Sequence, residues 1–352
     1  MSCFTTEYVL STVNALAVDS CQDGRYIWVV QRFAEHKFSM HRWHIDTLNW
    51  DTVDFKNREV IEYDNGLAEN VSDFLISSSN GKLYMLRKHL TCSRIFEFDT
   101  TTYEWRFMVI EMCQPSQSEL LVMNNDIYYN SGNHTICSFT FGATEEAKLH
   151  KFPNGTNGQP DILSLCGMDG GMFVIRIFQD GSRSVIKYDR ETETFFHVGK
   201  DYDEPRKYLE HAGLGEEYHT SSYSYNNKIY QRIQSKKRLM LDCFDIQTEK
   251  YCTIFDIENT GDDFVSISGT DKHAYMVYRR NEVIAVRVID LKPTLETLSL
   301  LMVADRTVRE SSDIDYVRSG LPYELRTLFT NMTTWKMEEW NKLKSNNNDV
   351  SH

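Results

Sequence analysis

The residues best suited to chemistry in this chain are basic, and they recur at intervals. Arg32, His36 and Lys37 form one group, Arg87, Lys88 and His89 a second, and Arg279 and Arg280 the last. Between them stand Arg176, Arg183 and the run of Arg232, Lys236, Lys237 and Arg238. A guanidinium presents a planar fork that pairs with carboxylates and phosphates through two parallel hydrogen bonds. Acidic stretches such as Asp201-Tyr202-Asp203-Glu204 and Glu216-Glu217 could instead neutralise these groups within the chain. Catalytic signatures are poor: there is no P-loop, no Gly-x-Ser-x-Gly elbow and no His-Glu-x-x-His. His41 and His44 have a tempting spacing for a metal, but residues three apart in a strand point to opposite faces. No catalytic residue, metal ligand or cofactor is assigned.

The elements that must position these groups repeat as well. Six times a polar turn leads into an aromatic-bearing strand, as in Asp23-Gly24-Arg25-Tyr26-Ile27-Trp28, Asn80-Gly81-Lys82-Leu83-Tyr84 and Asn226-Asn227-Lys228-Ile229-Tyr230. Asn-Gly and Asn-Asn accept positive φ at low cost and mark tight hairpins. Period-two runs such as Asp161-Ile162-Leu163-Ser164-Leu165 precede the turns and predict strands. A second strand in most copies ends near an acidic turn, for example Phe98-Asp99-Thr100-Thr101-Thr102 and Phe244-Asp245-Ile246-Gln247-Thr248. An Asp there can cap its own turn. The third copy has Gly142 where the others have Asp, and Trp50 falls two positions early after Asp46. A repeat of roughly 43–58 residues built from four short strands predicts an all-β, six-bladed β-propeller.

These turns resemble the kelch repeat. The Gly-x-Leu-Tyr entry to the second strand and the Asp-x-x-Thr-x-x-Trp feature are both present in copy two, where Asp99, Thr102 and Trp105 stand in place. Phe195 and Tyr251 substitute for the tryptophan in copies four and five, and the kelch Gly-Gly doublet at the end of the second strand is absent. The resemblance covers about residues 13–302. It implies a kelch-like propeller acting as a scaffold, adaptor or substrate receptor. Some kelch-like propellers are copper oxidases with Tyr and His ligands, but no local constellation supports that here.

The propeller is expected over residues 1–303, with a tail at 304–352 that is helical at 321–344. Leu325, Leu328, Phe329 and Trp335 follow helical spacing and could contact the propeller or a partner. Both Phe4–Leu10 and Thr294–Val303 read as the missing outer strand of the sixth blade. With strands a to d counted outward, the b–c and d–a connections share one face, and the a–b and c–d turns share the other. The basic groups fall in or beside the b–c connections. Arg87, Lys88, Arg176, Arg183, Lys236, Lys237, Arg279 and Arg280 are therefore the candidate partner-binding residues.

A formal net charge of −13 argues against non-specific binding to nucleic acid or to an anionic membrane. The eight cysteines are scattered without C-x-x-C pairs, and the first residues carry no secretory signal, so reduced thiols and a cytoplasmic or nuclear location are expected. The leading reading is a non-enzymatic module that binds a protein or peptide partner, the arginines favouring an acidic one. The alternative is a propeller enzyme with a metal or carbohydrate site at the channel mouth.

Overall fold

The computed structural model describes residues 5–11, 15–33, 37–62, 74–88, 93–110, 119–132, 135–143, 147–151, 162–168, 171–178, 183–202, 219–235, 238–258, 263–280 and 283–291. They form six four-stranded antiparallel sheets arranged as the blades of a propeller. The chain enters through β1 (Thr5–Ser11) and builds blade one from β2 (Ala17–Asp23), β3 (Tyr26–Arg32), β4 (Phe38–His44) and β5 (Trp50–Val53). A short helix, α1 (Arg58–Glu62), follows. Blade two holds β6 (Phe74–Ser79), β7 (Lys82–Lys88), β8 (Ser93–Asp99) and β9 (Glu104–Ile110). Blade three holds β10 (Leu120–Met123), β11 (Asp126–Gly132), β12 (Thr135–Thr140) and β13 (Lys148–Lys151). Blade four comprises β14 (Ile162–Met168), β15 (Gly171–Ile177), β16 (Arg183–Asp189) and β17 (Thr194–Tyr202). Blade five comprises β18 (His219–Tyr225), β19 (Lys228–Gln234), β20 (Arg238–Asp245) and β21 (Lys250–Glu258). Blade six contributes β22 (Asp263–Gly269), β23 (His273–Arg280) and β24 (Val283–Asp290), and its fourth strand is β1.

Of the two segments that could complete blade six, the N-terminal one does so. Residues Thr5 to Ser11 pair antiparallel with Ile289 to Val283. Glu7 and Arg287 fix that register with an ion pair at 2.5 Å, and Tyr8 packs on Trp43 of blade one at 5.2 Å between ring centroids. The ring is thus closed by strands from opposite ends of the chain, which leaves the outer edge of β24 paired. The tail at 304–352, with Leu325, Leu328, Phe329 and Trp335, lies outside the described residues.

Each blade is covered on both faces, so strand b is buried at nearly every position, as in β3, β15 and β19. The third residue after each a–b turn is aromatic: Trp28, Tyr84, Tyr128, Phe173, Tyr230 and Tyr275. Each packs into the cluster shared with the following blade, while the residues on either side face the preceding one. This follows from the two-residue side-chain period of a strand. Burying one such ring contributes roughly 1.5–3 kcal/mol, and every interface between blades holds one.

The turns take the conformations their residues favour. Asn80, Gly81, Asn124, Asn125, Asn226 and Asn227 all have positive φ, as type I′ hairpins require. In the c–d turns, Asp99 Oδ1 accepts hydrogen bonds from Thr101 N at 2.8 Å and Thr102 N at 3.0 Å. Asp245 Oδ1 does the same for Gln247 N and Thr248 N, both at 3.0 Å. In blade one the corresponding residue is His44, not Asp46. Its Nδ1 accepts from Asp46 N at 3.1 Å and Thr47 N at 3.2 Å. Trp50 then stands opposite Trp43 as Trp105 stands opposite Phe98, so its apparent two-residue displacement disappears.

Candidate functional site

The innermost strand of every blade has one edge that no ladder partner covers. Its backbone N–H and C=O groups would be orphaned around the axis unless side chains met them. Short polar side chains do so. Asp19 Oδ2 accepts a hydrogen bond from Ile76 N of blade two at 2.7 Å, and its Oδ1 from Ser20 N at 2.8 Å. Glu119 Oε2 accepts from Leu165 N of blade four, and Oε1 lies 2.8 Å from Ser164 Oγ. Ser164 Oγ continues to Ser222 Oγ of blade five at 2.8 Å, which donates to Leu165 O at 3.1 Å. Ser20 and Ser266 join blades one and six through their hydroxyls, and Ser78 and Ser224 donate to Gln22 O and Gly167 O.

These strands enclose an axial channel of about 660 Å³, large enough for a small organic molecule. The register sets its most polar level. Asp19, Ser164, Ser221 and Ser266 lie opposite Val30, Ile175, Arg232 and Val277, the fifth residues of their b strands, and Glu119 immediately precedes Leu120 at the same height in blade three. Toward the a–b turns the lining changes to Gly24, Met123, Tyr225 and Thr270, of which Gly24 and Tyr225 are exposed.

Arg232 brings a charge to the polar level. It is 2% exposed and lines the channel, with Nη1 donating to Gln234 Oε1 at 3.2 Å and Cζ 5.7 Å from the Phe264 ring centre. Nε has no partner among the described residues, and no carboxylate there makes an ion pair with this guanidinium. Burial lowers its pKa to about 10, opposed by Glu119 and Asp19. The carboxyls move the other way. Enclosure by protein raises Asp19 to about 7 and Glu119 to about 8, against the lowering effect of their hydrogen bonds and of Arg232. Burial also pushes the Cys21 and Cys166 thiols up, so both stay neutral.

Three of the basic residues picked from the sequence have different places from those expected. Arg87, Arg176 and Arg183 are 7%, 0% and 3% exposed, so they are not presented to solvent on the loop face. Arg87 Nη1 donates to Ile61 O of α1 at 2.9 Å, with its guanidinium over Phe38 and Phe96. Arg176 Nη2 donates to Ser184 Oγ at 2.8 Å, and Arg183 pairs with Asp242 at 2.7 Å. All three belong to strands, Arg183 as the first residue of β16, and their guanidinium groups turn onto neighbouring side chains and backbone of the ring. Arg279 is half-buried, bonded to Asp263 at 3.3 Å and Ala15 O at 3.4 Å, whereas Arg280 is exposed. Lys88 ends β7, while Lys236 and Lys237 lie outside the described residues.

The polar level of the channel was missed because its members are short-range unremarkable and meet only through ring closure. The available signal was a charged residue inside an alternating apolar run, as at Asp19. His150 is a different case. Its Nε2 lies 2.6 Å from Ser138 Oγ and its Nδ1 3.2 Å from Tyr188 Oη, and all three are buried between blades three and four, away from the channel lining. Among the described residues no group of three or more His, Cys, Asp or Glu is placed to hold a metal ion. No described helix is long and apolar enough to cross a membrane.

No family model and no curated protein matches the chain. Solved structures do. A six-bladed fucose-recognising lectin from Aleuria aurantia is similar at 12% identity and a TM-score of 0.49, over 78% of this chain and 91% of the lectin. A Trypanosoma rangeli sialidase mutant displaying trans-sialidase activity is similar at 10% identity and a TM-score of 0.47, over 88% of this chain. The chain spans only 63% of that sialidase. YCF48, solved bound to D1 peptide, is similar at 12% identity and a TM-score of 0.41, over 76% of each chain. A shared architecture at such identities transfers neither ligand nor activity.

Proposed function

We propose that this chain is a non-enzymatic interaction module, a kelch-like propeller of the scaffold or substrate-receptor type. It holds a protein or peptide partner on the face where the b–c and d–a connections emerge. The observation that carries this reading is the asymmetry of the two faces. The a–b and c–d turns are short and bonded to themselves, as at Asp99 and Asp245. The long connections, 54–73 and 203–218, both leave from the opposite face. Loops of that length on a rigid ring are where recognition usually sits. Arg279 and Arg280 end β23 on that face and give an acidic partner a charged contact.

Affinity capture from native extract tests the reading, with bound proteins identified by mass spectrometry. The full chain is compared with a variant whose 203–218 connection is replaced by a Gly-Ser linker and with R279E/R280E. A partner held by the full chain and lost by a variant that keeps its circular dichroism spectrum is the expected result. A partner retained undiminished by both variants overturns the assignment to this face.

A further inference from the structure

We propose that the central channel is a binding site for a small organic anion, whose carboxylate or phosphate group is held by Arg232 and the hydroxyl of Ser221. The argument is independent of the partner-binding face. It begins with which hydrogen-bonding groups at the polar level are already committed. Both oxygens of Asp19 and both of Glu119 have partners from backbone or serine. The spare capacity is on the donor side. A guanidinium carries five N–H donors, and the described residues occupy one of those on Arg232. Ser221 stands directly opposite Arg232 in the ladder and lines the same channel, and its Oγ has no partner among the described residues. A buried level with spare donors and spent acceptors recognises a ligand rich in acceptors.

The charges around Arg232 agree. The ionisable groups facing it across the channel are Asp19 from blade one and Glu119 from blade three, with the Cys21 and Cys166 thiols beside them and Asp23 nearer the a–b turns. Neither carboxyl makes an ion pair with Arg232 among the described residues, and both are held toward the neutral form. A neutral carboxyl leaves the guanidinium charge uncancelled and adds an O–H donor. Phe264 covers one side of the guanidinium, and the channel volume of about 660 Å³ accommodates an organic anion rather than a single ion. Anion binding at Arg232 must also favour protonation of both acids, so proton uptake and anion uptake are coupled.

Titration calorimetry on the full chain tests this with citrate, inorganic phosphate and glucose 6-phosphate, at about pH 6 and about pH 8.5. One-to-one binding at the lower pH is expected, weaker by about tenfold or more at the higher pH. Citrate alone binding assigns the carboxylate source, and either phosphate compound alone assigns the phosphate source. R232M should reduce affinity by about tenfold or more. E119Q, whose amide can accept from Leu165 N and donate to Ser164 Oγ, should bind more tightly at the higher pH than the unmodified chain does. The proposal is overturned if no anion binds at about 1 mM at the lower pH. It is equally overturned if folded R232M binds as tightly as the unmodified chain, or if E119Q binds no better than the unmodified chain at the higher pH.

Discussion

Arg183 Nη1 and Asp242 Oδ2 form an ion pair at 2.7 Å between blades four and five, with side chains 3% and 0% exposed. The Arg183 guanidinium also lies 5.2 Å from the centre of the Tyr251 ring of blade five. Desolvation of both ions offsets much of their attraction, so such a pair fixes how two blades meet more than it adds net stability. Removing one partner is a different matter, because it strands a buried charge. D242N or R183M alone should therefore cost about 3–5 kcal/mol, while R183M/D242L should lie within about 1–2 kcal/mol of the parent. Urea unfolding followed by tryptophan fluorescence measures this. Single variants close to the parent would show that the pair is solvated.

Closure by β1 makes residues Thr5–Ser11 part of the fold. Deleting them uncovers the edge of β24 from Val283 to Ile289 and removes Tyr8 from Trp43. Light scattering should show self-association through the bared edge, and the melting temperature should fall by roughly 10 °C or more. A monomer with an unchanged melting temperature would mean that blade six is complete without this strand.

The two channel acids give stability a distinctive pH dependence. Their folded pKa values, about 7 for Asp19 and about 8 for Glu119, lie above the ordinary values of 3.8 and 4.5. Between those limits the folded chain binds more protons than the unfolded one. Their contribution is therefore complete below about pH 4 and is lost as pH rises through 7 and 8, at up to about 1.4 kcal/mol per pH unit for each group. Glu7, Asp99 and Asp245 are shifted down, so their contributions are lost as pH falls through their folded values. Comparing D19N/E119Q with the parent isolates the first effect. Melting curves from about pH 5 to pH 8.5 should decline less steeply for the variant. Parallel curves would refute the shifts.

Cys243 and Cys252 stand directly opposite each other on β20 and β21, the first buried and the second exposed. Opposed residues in an antiparallel pair have Cα atoms about 4.5–5.5 Å apart, within the range a disulfide spans. Diamide should accept two electrons and two protons from this pair and leave a disulfide. Trypsin cuts after Arg238 and Lys250, so mass spectrometry should find peptides 239–250 and 251–272 joined and two hydrogens lighter. Recovery of the two as separate, alkylated thiols would exclude the cross-link.

Much of the fold was legible because its determinants are local. A two-residue turn announces itself through Asn80-Gly81 or Asn226-Asn227, whose positive φ few other residues tolerate. Alternation along a strand reports burial on one or both faces, and six such units imply a closed ring. Even where local chemistry was replaced, as by His44 in the place of Asp99, the geometry persisted because an imidazole nitrogen accepts the same backbone donors.

The site was much less legible, for two physical reasons. Whether a basic residue near a strand end faces solvent depends on where hydrogen bonding stops, and one residue of difference moves the side chain to another face. Arg87, Arg176 and Arg183 belong to strands and became contacts within the ring. Which groups share the channel depends on closure. Ser20 meets Ser266 across 246 residues of sequence, and Glu7 meets Arg287 across 280. The sequence by itself determined the blades, their turns and their apolar faces, since these follow from backbone preference and burial at short range. Only the tertiary structure decided that the N-terminal strand closes the ring and that Asp19, Glu119 and Arg232 face one channel. Those relationships exist only once six blades have met around a common axis.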